Sequence, residues 1–76
     1  MKARVTVSLK PGVLDPAGRA IQHALQSQGF AQVQDVRVGK TIELEVADGT
    51  TEEQVADMAR KLLANTVIEN FRVELQ

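Results

Sequence analysis

Gly39-Lys40-Thr41 carries the ending of a phosphate-binding loop. Such a loop needs another glycine five residues upstream and a helix downstream, so that backbone N–H groups cradle the phosphate. Position 34 is Gln34, and the residues after Lys40 alternate as a strand does. The stretch therefore reads as a turn with a solvated lysine. His23 sits among Arg19, Gln22 and Gln26, with no carboxylate close in sequence to orient it. A general base needs such a neighbour and a nucleophile to serve, and Ser8 and Ser27 qualify only by type. The carboxylates Glu43, Glu45, Asp57, Glu69 and Glu74 are dispersed. Glu69 shares the apolar parity of the last strand, which predicts a frayed start or a basic partner. Arg37 with Lys10 and Lys40 could form a small anion site, but a scattered basic face is the better reading. No residue is assigned to catalysis, a cofactor or a metal.

The chain has 76 residues, enough for a single domain over residues 1–76. A domain this short buries only about 60% of the surface its unfolded form exposes, so it needs help from disulfides, metals or association. With no cysteine and one histidine, association remains. A net charge of -1 and two aromatic residues, Phe30 and Phe71, argue against a nucleic-acid partner. No apolar run reaches the roughly 20 residues of a membrane span. The opening MKARVTVSLK alternates, unlike a signal peptide, so a soluble cytoplasmic protein is expected.

Ala3, Val5, Val7 and Leu9 alternate with polar residues, the pattern of a half-buried strand. Asp15-Pro16 marks a helix start, Ala17, Ala20, Ile21, Ala24 and Leu25 supply its apolar stripe, and Gly29 supplies a left-handed stop. Val36 and Val38, then Ile42, Leu44 and Val46, predict a hairpin. A three-residue loop or bulge there opposes Val38 to Ile42 and Val36 to Leu44 and so unites the apolar faces. Ala47-Asp48-Gly49 turns the chain, and Thr50 with Glu53 offers a capping box. The second helix is expected to bury Val55, Met58, Ala59, Leu62 and Leu63 and to stop at a left-handed Asn65. The last strand then places Val67, Phe71, Val73 and Leu75 on one face.

The order βαββαβ predicts an α/β two-layer sandwich: a four-stranded antiparallel sheet with two helices on one face, ferredoxin-like by default. Neither the strand Thr41–Ala47 nor the last strand carries a proline to block pairing with another chain. A homodimer or tetramer is therefore expected, with Ile42, Leu44, Phe71 or Val73 near the joint.

Three blocks remain: KPGVLDPAG at Lys10–Gly18, VRVGK at Val36–Lys40 and LLANTVIEN at Leu62–Asn70. Their order and spacing resemble the PurS family, the small subunit of bacterial and archaeal phosphoribosylformylglycinamidine synthase, along essentially the whole chain. Thr66 departs from the pattern, since the family commonly has proline there. The resemblance implies a non-catalytic subunit in de novo purine synthesis that binds no cofactor itself. The partner PurL synthetase would use ATP and magnesium to convert formylglycinamide ribonucleotide to the amidine, with ammonia from the glutaminase PurQ. PurS-like chains form dimers or higher oligomers, bridge the two enzymes and help ammonia pass between them. Val13 and Leu14 sit in the first block without an evident role, and either cap their own core or meet another chain. With Arg37, Lys40, Ile42, Leu44, Phe71 and Val73 they make up the candidate subunit or partner interface. A second resemblance, from Pro-Gly between first strand and first helix, is to ACT domains, which bind amino acids at a dimer interface.

Overall fold

The computed structural model of the chain describes residues 1–76. Strand β1, Lys2–Leu9, is the centre of the molecule and pairs antiparallel on both sides. Its alternation sets the layers: Ala3, Val5 and Val7 are buried, while the residues between them turn to the other face. On one side lies β2, Gly39–Glu45, with Ile42 opposite Val5 and Leu44 opposite Ala3. On the other lies β3, Glu69–Leu75, with Phe71 opposite Val7, Val73 opposite Val5 and Leu75 opposite Ala3. One register thus gathers all the apolar strand residues on one face. The opposite face carries Lys2 and Arg4, both ion-paired to Glu43.

Helix α2, Glu52–Met58, covers that apolar face with Val55 and continues into a single π turn, Ala59–Leu63. Its capping box lies one residue later than predicted. The Thr51 hydroxyl accepts from Gln54 N at 3.2 Å, and Gln54 Oε1 accepts from Thr51 N at 2.9 Å. The Thr50 hydroxyl is occupied elsewhere, donating to Ala47 O at 2.6 Å. The π turn is closed by Ala64 N donating to Ala59 O at 2.9 Å, and its extra residue shifts the buried stripe. Ala59 and Ala64 enter the core, whereas Met58 is exposed and Leu62 is 84% exposed, contrary to the stripe expected from a regular helix.

The start of β3 also departs from expectation. Val67 precedes the strand and is 80% exposed. Asn65 does not adopt a left-handed conformation, because only glycines have positive φ here. It closes its turn through the side chain instead, with Oδ1 accepting from Val67 N at 3.1 Å. Glu69 caps the same turn by accepting from Asn65 N at 2.7 Å, so its inward parity serves the backbone rather than a basic partner.

The largest correction concerns the sheet. It has three strands in the order β2-β1-β3, not four, and no hairpin forms at Gly39-Lys40. Val36 and Val38 lie in the connection before β2, outside the sheet. Helix α1, Pro16–Ser27, does not join α2 on the sheet either, since none of its residues belongs to the core or packs against it. The molecule is consequently long, 48 × 24 × 14 Å, with a radius of gyration of 15.7 Å. A compact chain of this length would have a radius of about 11 Å. Only seven residues are buried, too few for the apolar residues this sequence contains.

Candidate functional site

At the C-terminal end of β1 the chain leaves the sheet through Lys10–Asp15, runs out along α1, turns and comes back to β2. Gly29 makes the turn with φ +100°, and Phe30 N folds back to Leu25 O at 3.0 Å. Residues 30–38 then return as a strap along the helix. Gln26 Nε2 donates to Val33 O at 2.8 Å, and Gln22 Nε2 to Gln34 O at 3.2 Å. From Gln26 back to Asp15 the helix and its cap residue span roughly 16 Å at 1.5 Å per residue. The strap covers that span in the five steps from Val33 to Val38, about 3.3 Å per step, which is extended backbone.

The strap passes so close to the helix that only glycine fits at position 18. A Cβ there would lie 2.2 Å from Val36 O, and Gly18 is the one buried residue of α1. Asp15 joins the two limbs at their root. One carboxylate oxygen accepts from Gly18 N at 2.9 Å and caps the helix, and the other accepts from Val38 N at 2.7 Å. These two N–H groups, Val38 first and then Gly18, hold the Asp15 carboxyl below its ordinary value of 3.8, with a smaller contribution from Arg37. Arg37 Nη2 adds a bond to Lys10 O at 3.3 Å.

The candidate interface residues fall into two groups. Val13, Leu14 and Arg37 gather at the root of this arm, around an open cleft shared with Arg19 and Asp35. Leu14 is 83% exposed and does not cap its own core, whereas Val13 is half-buried. Ile42, Leu44, Phe71 and Val73 lie on the apolar face of the sheet, half-buried, with β1 between the two pairs. Lys40 is exposed in β2 opposite Val7. His23 is exposed on α1, and Ser27 donates to Ala24 O at 3.0 Å, so no nucleophile meets the imidazole. No three His, Asp or Glu side chains form a metal-ligating group.

Two features escaped the sequence reading. The α1 stripe of Ala17, Ala20, Ile21 and Ala24 faces solvent, with Ile21 44% exposed. A more polar side of α1, through Gly18, Gln22 and Gln26, meets the strap instead, and Leu25 of the expected stripe is half-buried. The available signal was Gly18 itself, a residue that weakens a helix unless a backbone must come close.

A family model described as PurS: Phosphoribosylformylglycinamidine (FGAM) synthase matches residues 2–76. The chain belongs to the PurS family. It is 53% identical over 77 residues to phosphoribosylformylglycinamidine synthase subunit PurS of Bacillus subtilis, covering 99% of this chain and 92% of that one. It resembles the solved PurS of the same species with a TM-score of 0.86, over 99% of this chain and 96% of that one. Methanocaldococcus jannaschii PurS, at 40% identity, gives 0.88 over 99% of this chain and 94% of that one. A chain in the structure of PurLQS from Thermotoga maritima, at 32% identity, gives 0.82 over 96% and 93%. Membership of this family decides between the two resemblances seen in the sequence.

Proposed function

We propose that this chain is the non-catalytic small subunit of phosphoribosylformylglycinamidine synthase in de novo purine biosynthesis. It joins a PurL-type synthetase to a PurQ-type glutaminase and assists transfer of ammonia between them. The synthetase, with ATP and magnesium, converts formylglycinamide ribonucleotide to the amidine, and this chain supplies surfaces rather than reacting groups. The observation that carries the reading is the family match along residues 2–76, with likeness to a chain of a solved PurLQS structure. No helix is long and apolar enough to cross a membrane, and the proposed location is the cytoplasm, where purine synthesis takes place.

Self-association belongs to the same reading. A chain with seven buried residues and an uncovered apolar helix stripe gains the missing burial from further copies, as a dimer or tetramer. Adding the purified chain to synthetase and glutaminase should raise glutamine-dependent product formation, and ammonia-supported formation should depend on it less. Turnover by this chain alone, or no effect on the glutamine-dependent rate, would overturn the assignment.

A further inference from the structure

Strand β3 pairs with β1 alone, so its outer edge is open. Two bonds at its ends fix which of its backbone groups lie on that edge. Gln76 N donates to Lys2 O at 2.8 Å, and Lys10 N to Ile68 O at 2.8 Å. Antiparallel strands exchange bonds at every second residue pair, so Asn70, Arg72 and Glu74 turn their N–H and C=O groups towards β1. Those of Phe71, Val73 and Leu75 point outward, away from the one strand beside them. The edge lacks the features that keep other strands away: it carries no proline or lysine, and its register with β1 is unbroken. Its side chains are sorted as well. Phe71, Val73 and Leu75 stand half-buried on the core face, while Arg72 and Glu74 stand on the solvent face, 3.4 Å apart.

A strand that carries its own complement can pair with a copy of itself. We propose that two copies join antiparallel along the outer edges of β3, with Val73 on the two-fold axis. This rests on the reading that the chain self-associates, and it names an edge and a register that meet. In this register Val73 exchanges both backbone bonds with Val73 of the second copy, and Phe71 exchanges them with Leu75. All of these are outward-pointing groups. Arg72 of each copy then faces Glu74 of the other at the close, non-hydrogen-bonded spacing, where opposite charges stabilise the pair. On the other face Phe71 meets Leu75 and Val73 meets its own copy, so apolar residues adjoin apolar ones. The neighbouring registers fail. An axis at Arg72 sets two guanidinium groups face to face and Glu69 against Leu75, and an axis at Glu74 opposes two carboxylates. An axis at Phe71 sets Val73 against Glu69. The same patch thus serves on both copies, as a two-fold interface requires, and the open edge is removed.

Arg72→Glu and Glu74→Arg test the register, because each change alone sets like charges across the joint and within its own strand. Both side chains lie on the solvent face of the sheet, and circular dichroism checks that each variant folds. In sedimentation over a range of concentrations, each variant alone should associate about tenfold more weakly than the parent, since two cross-strand pairs turn from attraction to repulsion. An equimolar mixture of the two variants should recover the parent's association, because every pair across the joint then has opposite charges. The like charges within each chain persist, so recovery on mixing can come only from contact between chains. Arg72→Gln mixed with Glu74→Gln repeats the experiment with neutral changes if either reversal disturbs the fold. Parent-like association of the single variants, or no recovery on mixing, would overturn the β3 joint while leaving self-association to another surface. A parent chain that stays monomeric at every concentration would overturn both.

Discussion

The body and the arm follow the same sequence rules and end in opposite states. In the body, β1 alternation and the α2 stripe converge, and Ala3, Val5, Val7, Val55, Ala59 and Ala64 lose contact with water. In the arm, an amphipathic helix is capped, stopped and backed by a strap, yet only Gly18 is buried. Hydrophobic periodicity says that a face will be covered, and it is silent on which chain covers it. The body is therefore a structure that one chain can stabilise, and the arm is held mainly by polar and backbone bonds until something packs on it.

The largest difference between the regions should appear on truncating an apolar side chain. Val55 is fully buried in the core cluster with Ala3, Val5, Val7, Ala59 and Ala64, and Val55→Ala leaves a cavity there. Transfer and cavity costs together are about 2 kcal/mol, a large share of the stability of a domain this small. Ala20→Gly on the arm removes one methyl from an exposed helix position, and its cost should be about 1 kcal/mol, from helix propensity alone. Urea denaturation of both variants, read by far-ultraviolet circular dichroism, checks the order. An equal loss would mean that the arm is packed as the body is.

Gly18→Ala sharpens the comparison because two principles give it opposite signs. In an exposed helix interior, alanine is favoured over glycine by about 1 kcal/mol. Here the new Cβ would meet Val36 O at 2.2 Å, a backbone atom that must move. The strap should come away from α1, and the amides of the arm should exchange with solvent deuterium faster than in the parent chain. The amides of β1 should be unchanged. A variant with a more protected arm would mean that helix propensity outweighs the close approach.

Most of the body was legible in the sequence. The strand of Ala3, Val5 and Val7 and the position of α2 rest on local patterns that packing in the body reinforced, while the Asp15-Pro16 start and the Gly29 stop of the arm rest on local backbone chemistry alone. What could not be read depended on distant partners. The valines at 36 and 38 have the alternation of a strand, but no strand of this chain pairs with them. Leu62 has helical spacing to Met58, but the π turn at Ala59–Leu63 adds a residue that spacing alone does not reveal. At the candidate site, the KPGVLDPAG block announced itself by composition. The second bond of Asp15, to an amide 23 residues away, could not be inferred from it.

That second bond provides the finest test of how the arm is held to the body. Asp15→Asn keeps one carbonyl oxygen for Gly18 N, so the helix cap survives, but its amide group turns a donor towards the Val38 N–H. Exchange at Val38 should accelerate while the helix signal is retained, and the melting temperature should fall slightly at neutral pH. The pH dependence follows from the direction of the Asp15 shift. Its carboxyl titrates below 3.8 when folded because Val38 N and Gly18 N favour the charged form. Stability from a lowered carboxylate pKa is fully present above the unfolded value and is lost as pH falls through the folded one. The difference in melting temperature between parent and variant should accordingly be constant from about pH 8 to 5 and shrink below about pH 4. Asparagine has no charge to lose, so only the parent contributes to that change. A difference that persisted undiminished to pH 2 would show that the two bonds do not depend on the charge of Asp15, and the clasp would then be a matter of shape.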